Sequence, residues 1–480
     1  MERSAKSAKA KPARTMLDKI WDDHTVRYFG DNTYLLHVDR TFLHELAAMA
    51  FNGLEQAGHP IVCPDLTFAT VDHLLDTVPG RTDQTVIPNG AEFIRTLRAG
   101  SAQNHIRFFD LDAPDQGIVH VIAPELGIAL PGTIFVCCDS HTSTIGGIGA
   151  LAWGIGVSDL EHVMATQCIV QTKPLNMRVN FEGRLRPGVT AKDLILYLIG
   201  RVSADGGNGY AIEYAGPAIR ALGVEERLSI CNMSIELSAR AGMVAPDDTT
   251  FDYLRDRRFA PKDAQWDGAV GYWRALASDD DVEFDREIDI DCAEISPQVT
   301  WGTSPEHVVG IDGRVPDPSN VPAERERQSM LRALDYMQLS PGTSVEGLPI
   351  EAAFIGSCTN SRISDLRAAA SILDGRKVAS GLKAICTPGS MAVKRQAEAE
   401  GIDRIFREAG FEWREPGCSL CMSGGAGGER FPEKARVISS TNRNFEHRQG
   451  RDVRSHLASP ATVAASAVMG RITNPNRLNG

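Results

Sequence analysis

A chain of 480 residues, 42% hydrophobic and 23% charged, has the balance of a soluble globular protein and the length for about three domains with substantial cores. Its 50 lysines and arginines against 62 aspartates and glutamates leave a net charge of −12, which excludes a general polyanion binder such as a nucleic-acid coat and requires any anionic substrate to meet a local basic pocket. No apolar run approaches the roughly 18 residues of a membrane span, the N-terminus lacks the apolar core of a secretory signal, and ten unevenly spaced cysteines read as reduced thiols, so a cytoplasmic protein without a membrane partner is expected.

Residues 1–15 are expected to be a solvated, disordered tail, because Arg3, Lys6, Lys9, Lys11 and Arg14 face only Glu2. ATVDHLL then sets Asp72 directly before His73, and GIVHVIAPE carries His120. TIFVCC is predicted to be a strand running into DSHTSTIGGIG, where Asp139 lies two residues before His141, and Ser158 with Glu161 predicts a capping box at the start of the next helix. RLRPG at 184–188 reads as a junction, and RVPDPSNVP at 314–322 as a connector before a helix. AAFIG is predicted to be a strand entering SCTNSR and then the helix RISDLRAAASILD, while the strand ARVISS leads into STNRNFEHRQGR. This alternation predicts an α/β fold with domains at 16–175, 176–300 and 301–480, without an internal repeat, and it sets the polar motifs where strands give way to helices.

Three cysteines stand in polar, glycine-containing sequence: Cys358 in FIGSCTNSR, and Cys418 and Cys421 in PGCSLCMSG. Three thiolates would leave a four-coordinate centre with one open position, the arrangement of a catalytic metal. Gly417 and the run Gly424 to Gly428 would let backbone approach an inorganic core, and the helix after Asn360 would aim its positive end at Cys358. A bare C-x-x-C does not choose among a catalytic metal or cluster, a structural zinc and a redox dithiol. Cys137 and Cys138, adjacent on a strand, face opposite ways, and Cys63, Cys168, Cys231, Cys292 and Cys386 read as small buried apolar residues.

For His73, His120 or His141 taken singly, a structural hydrogen bond is as good a reading as catalysis, although Asp72 and Asp139 can fix a tautomer or raise a pKa. Arg443, Arg448 and Arg451 lie among amide side chains in a composition suited to forked recognition of carboxylates, against the alternative of a solvated basic loop. Arg362 adds a further positive group beside SCTNS.

FIGSCTNSR, PGCSLCM, STNRNFEHRQGR, ATVDHLL, GIVHVIAPE and CCDSHTSTIGG together resemble the aconitase superfamily, and SPQVTWGTSP with SCTNSRISDLRAAA resembles its branch of isopropylmalate dehydratase large subunits. The resemblance covers nearly everything after the basic tail. It implies three α/β domains of the aconitase type with the active site at their junction, and no swivel domain. It also implies a [4Fe-4S] cluster, one per subunit, on Cys358, Cys418 and Cys421, whose unligated iron acts as a Lewis acid on a 2-hydroxy diacid. His73, oriented by Asp72, is then the acid that protonates the departing hydroxyl, with His120–Asp139 and His141–Glu213 as supporting pairs. Asn442, Arg443 and Arg448 would hold substrate carboxylates, Ser140 would line the pocket, and His44 matches a substrate-binding position.

The family's Ser-Ser-Arg motif has no counterpart in the chain, so the serine base and a further arginine are expected on a small partner subunit. The implied reaction interconverts 2- and 3-isopropylmalate in leucine biosynthesis. Cys138 and His447 stand where the family commonly has glycine, and MSGGAGG after Cys421 is less polar than usual. These departures leave methylmalate, dimethylmalate or homoaconitate as alternative substrates. A zinc-stabilised binding protein that kept the fold is the alternative of another class.

Overall fold

In the computed structural model, which describes residues 12–422 and 429–478, three parallel β-sheets repeat one topology. The first runs in space as Arg107–Phe109, Thr67–Thr70, Arg40–Leu43, Ile134–Cys137, Leu151–Gly154. The second runs Ala241–Met243, Tyr210–Ala215, Leu175–Glu182, Arg286–Asp291. The third runs Phe411–Trp413, Lys383–Cys386, Ala352–Ile355, Arg436–Ser439, Arg454–Leu457. In each sheet the earliest strand lies centrally, the next two build out one side and the later ones the other. Connections therefore leave the central strands in opposite directions, and a crevice opens at their carboxyl ends.

In the first and third sheets the strands Thr67–Thr70, Ile134–Cys137, Ala352–Ile355 and Arg436–Ser439 are buried along their whole length, as parallel strands covered on both faces must be, whereas Leu175–Glu182 in the second sheet alternates. In the first sheet Phe42 meets Phe68, Phe109 and Phe135 at centroid separations of 6.0, 6.3 and 6.3 Å, a run of rings crossing four neighbouring strands. Two small antiparallel units complete the strands: Thr25–Gly30 with Thr33–His37 and Cys168–Thr172, and Gln298–Thr300 with Val308–Gly310. No helix among the described residues is long and apolar enough to cross a membrane.

Most of the basic tail and the run Gly424 to Gly428 lie outside the described residues. The tail's end is packed rather than solvated. The Arg14 amide donates to Asp279 Oδ2 at 2.7 Å, and Thr15 caps the Met16–His24 helix. RLRPG is the loop between the Leu175–Glu182 strand and the Ala191–Val202 helix, and 314–322 leads into Glu324–Met337. The capping box expected at Ser158 and Glu161 is not formed: the Val157–Thr166 helix starts from Gly156, which puts Ser158 inside the first turn, where it cannot act as the cap.

The two glycines of STIGGIG explain how the first and second units meet. A Cβ on Gly146 would stand 1.7 Å from the Gly242 carbonyl oxygen, and one on Gly147 would stand 2.6 Å from the Leu228 amide nitrogen. Only glycine lets the Ser140–Ile148 turn lie directly on the Val224–Asn232 helix and the Ala241–Met243 strand. That contact brings residues 232–237 to the carboxyl ends of the first sheet.

Candidate active site

The carboxyl ends of the third sheet carry the cysteines. Ser357 follows the Ala352–Ile355 strand with φ of 81°, a left-handed turn that directs the chain into Cys358. Cys358, Cys418 and Cys421 are all buried free thiols. Their sulfurs meet a set of hydrogen-bond donors: Asn232 Nδ2 lies 3.1 Å and Asn442 Nδ2 3.4 Å from Cys358 Sγ, while Ser357 Oγ lies 3.4 Å and Arg448 Nη2 3.2 Å from Cys421 Sγ. Burial pushes the Cys358 thiol up to about 12 and Cys418 well above its ordinary range. At Cys421 burial also opposes the thiolate, but the Arg448 guanidinium, Ser357 and His141 outweigh it and hold the thiol below its ordinary value.

The carboxyl ends of the first sheet carry the titrating groups. His73 Nδ1–H donates to Asp72 Oδ1 at 2.5 Å and Nε2–H to Asp139 Oδ2 at 2.8 Å, so the ring lies between two carboxylates. Burial opposes its charge, yet Asp72, Cys418 and Asp139 raise its pKa well above the ordinary histidine value. His44 stacks on His73 with centroids 4.2 Å apart and donates from Nε2 to the Cys138 carbonyl at 3.1 Å. His120 is pulled down by burial to about 4, and its buried Nδ1 has no hydrogen-bond partner among the described residues. His141 is raised: burial works against it, but Asp139 and Glu236 prevail. The two ends meet where Cys418 Sγ lies 3.8 Å from His73 Nδ1 and the Cys418 amide donates to the Asp72 carbonyl at 2.8 Å.

One expected pair is corrected, and the other, His120 with Asp139, is present as a long contact. His141 does not meet Glu213; its Nε2 lies 2.7 Å from Glu236 Oε1, which also accepts from Arg443 Nε at 2.7 Å. Glu213 sits within the Tyr210–Ala215 strand and accepts from Ser278 Oγ at 2.5 Å, whereas Glu236 lies on the Met233–Leu237 turn that docks against Ser140–Ile148. Asp139 binds His73 and the His141 amide, at 2.8 and 2.6 Å, and comes only within 4.0 Å of His120. Asn232 and Glu236, four residues apart and so on one side of a helical run, were the available signal.

Further groups differ from their sequence reading. Arg362 is buried and spends Nη1 on the Thr359 carbonyl at 3.1 Å and Nη2 on the His120 carbonyl at 3.0 Å, so it bonds backbone rather than facing the crevice. Arg451 is exposed beside Glu433. Cys63 and Cys168 are only half-buried, while Cys137, Cys231, Cys292 and Cys386 are fully buried. Ser140 is exposed and lines, with Cys138 and Asp139, a cavity of about 790 Å³. Glu45 was missed altogether. Its carboxylate accepts the amides of Asp72, His73 and Leu74 at 3.0, 3.2 and 3.0 Å, and burial beside Asp72 raises it to about 7.

The donor set fits a cluster. Among the described residues, the set of ligand atoms lying mutually within 4.8 Å is that of His44, Glu45, Asp72 and His73, and the last three already bond backbone or one another. The three cysteine sulfurs form no such set. A single zinc, about 2.3 Å from each sulfur, would need them roughly 3.8 Å apart. Wider spacing with amide, hydroxyl and guanidinium donors on the sulfurs fits a multi-iron cluster.

The profile of the aconitase family (aconitate hydratase) matches residues 18–470. The chain is 56% identical over 462 residues to the 3-isopropylmalate dehydratase large subunit 1 of Bradyrhizobium diazoefficiens, with 96% of each chain covered. Among solved structures it is similar to holo-form aconitase X of Thermococcus kodakaraensis, with a TM-score of 0.43 and 11% identity over 89% of each chain.

Proposed function

The chain belongs to the aconitase family, and on that premise we propose that it is the large, catalytic subunit of a 3-isopropylmalate dehydratase, a hydro-lyase that interconverts 2- and 3-isopropylmalate in leucine biosynthesis. The identity of 56% across 96% of the chain supports this reading. Family membership implies an iron–sulfur cluster, and we assign a [4Fe-4S] cluster, one per subunit, to Cys358, Cys418 and Cys421. Bound there, it supplies a Lewis acid for the substrate's hydroxyl and carboxylate.

The residues of the chain hold the substrate and move a proton. His73, raised by Asp72, Cys418 and Asp139 against burial, is an imidazolium at neutral pH. Asp72 fixes its Nδ1–H, and the Nε2–H now given to Asp139 is the proton handed to a hydroxyl leaving in the crevice. Asp139 remains the charged partner that restores the ring's orientation afterwards. Arg443 spends Nε on Glu236, which leaves its terminal nitrogens for a substrate carboxylate, and Arg448, Asn442, Ser140 and His44 complete the binding wall. His120, lowered by burial, and His141, raised by Asp139 and Glu236 against burial, complete the histidines of the site. Proton abstraction from carbon falls to a serine of a small partner subunit, a reading supported by the relative's designation as a large subunit.

One observation carries the proposal: a histidine ring held between two carboxylates, 3.8 Å from a cysteine sulfur of the assigned cluster site. The chain, co-expressed with its small subunit and purified without oxygen, is expected to contain iron and sulfide and to turn over isopropylmalate in preference to methylmalate, dimethylmalate and homoaconitate. Stoichiometric zinc with no iron would instead mark a non-catalytic binding protein. Full activity of the chain alone would remove the partner serine, and preference for a smaller alkyl-malate would change the substrate while leaving the reaction.

A further inference from the structure

Lys192 is a buried lysine that, among the described residues, has no carboxylate in contact. It is the second residue of the Ala191–Val202 helix, where the helix dipole opposes a cation, and it is 1% exposed. Its Nζ donates to Asn360 Oδ1 at 3.2 Å, the Ser440 carbonyl at 2.8 Å and the Thr441 carbonyl at 2.6 Å. All three ammonium donors are thus spent on neutral oxygens. Those oxygens belong to two loops, the one that carries Cys358 and the one that carries Asn442 and Arg443.

A buried charge is costly unless something nearby offsets it. The carboxylates nearest to Lys192 are engaged elsewhere: Asp365 accepts from Asn360 Nδ2 at 2.8 Å and from the Arg362 amide at 3.0 Å, and Asp193 accepts from Thr190 Oγ1 at 2.8 Å and the Gln298 amide at 2.7 Å. Burial pulls the amine down to about 7, against which Asp365, Asp193 and, after them, the thiols of Cys358 and Cys421 favour the charged form. Three thiolates and a cluster in the same crevice would bring the charge that the site otherwise lacks. On the cluster reading of the cysteine site, we propose that Lys192 is the fixed counter-charge of that site and the tie that holds its two loops together. It is a positioning residue, since it touches neither sulfur nor substrate.

The test uses the reconstituted complex of both subunits with wild type, Lys192→Gln, Lys192→Met and Lys192→Arg. Lys192→Gln is expected to lose iron and sulfide to a chelator about 10–100-fold faster, the usual range for removing an outer partner of a metal site. Its cluster should have a more negative midpoint potential in an electron-paramagnetic-resonance titration, because a nearby positive charge favours the reduced form. Lys192→Arg should keep the wild-type potential. The thermal midpoint should rise less on cluster loading in Lys192→Met than in wild type, because the cluster-free variant carries no uncompensated charge. A loop tie without an electrostatic role would lower both forms of the variant equally. An unshifted potential and an equal rise on loading overturn the proposal, and the unfolding arm remains decisive if Lys192→Gln does not fold. Wild type that takes up no iron and sulfide overturns the cluster reading itself, a separate and recognisable failure.

Discussion

The first and third sheets have the same five-strand order, with the crevice at the same place relative to the central strands, yet they carry different chemistry there. The first presents His44, Asp72, His73 and Asp139, groups that gain and lose protons. The third presents Cys358, Asn442 and Arg443 from its central loops, and Cys418 and Cys421 beyond the Phe411–Trp413 edge strand, groups that ligate or carry fixed charge. The shared topology explains where a site forms and says nothing of which site it is. The difference lies in the residues at each strand's carboxyl end: His44-Glu45 after Arg40–Leu43, Gly356-Ser357-Cys358 after its counterpart Ala352–Ile355. Because the two ends face each other at Cys418 and His73, the residues proposed as acid and as cluster ligand come together, a pair that neither sheet holds by itself.

If this division of labour is right, the two ends fail differently. Cys358→Ala should abolish the iron–sulfur absorbance and lower turnover by a factor on the order of a thousand or more, the worth of several kcal/mol of Lewis-acid stabilisation. His73→Asn should lower kcat by about 10²–10⁴-fold with iron and sulfide unchanged, which metal analysis of the purified complex can check. Loss of iron in that variant would mean that the two ends cannot be separated.

The middle unit sharpens the comparison, since it completes both ends through Asn232 and Glu236. Glu236→Gln should reduce kcat/KM by about 10–100-fold, the cost of a hydrogen bond to a charged group, through both Arg443 and His141. Glu213→Gln should leave kcat/KM within about threefold, and the opposite ranking in steady-state kinetics would restore the pairing read from sequence.

Proton linkage gives the smaller effects. The raised pKa of His73 predicts that kcat/KM falls as pH rises through that value, above 6.5, in a profile that His73→Asn flattens. Glu45, at about 7 in the fold and near 4.5 when exposed, binds more protons folded than unfolded between those values. Stability from this group is therefore lost as pH rises from about 4.5 to 7, by roughly 1–3 kcal/mol, and Glu45→Gln should remove that slope in denaturant titrations at pH 5 and 8.

Much of the fold and site is legible in particular residues. TIFVCC, AAFIG and ARVISS become central strands, and the polar residues after them stand at the crevice, because a buried parallel strand must be apolar while its carboxyl end opens to ligands. The cap at Ser158 is misread because Gly156 starts the helix without using a side chain. Glu45 and Lys192 carry no local signature, and Glu236 only its spacing from Asn232: an acid in a helical turn or a lysine near a helix start looks like ordinary surface.

The sequence by itself determined which chemical groups the protein owns and at which strand ends they emerge, since strand burial and loop composition are local properties of the chain. Tertiary structure alone decided which carboxylate serves which histidine and which cation answers the thiolates. His141 and Glu236 are 95 residues apart, and Lys192 and Ser440 are 248 apart. Such pairings arise from how the middle unit docks on its two neighbours, contacts between surfaces that no local pattern records.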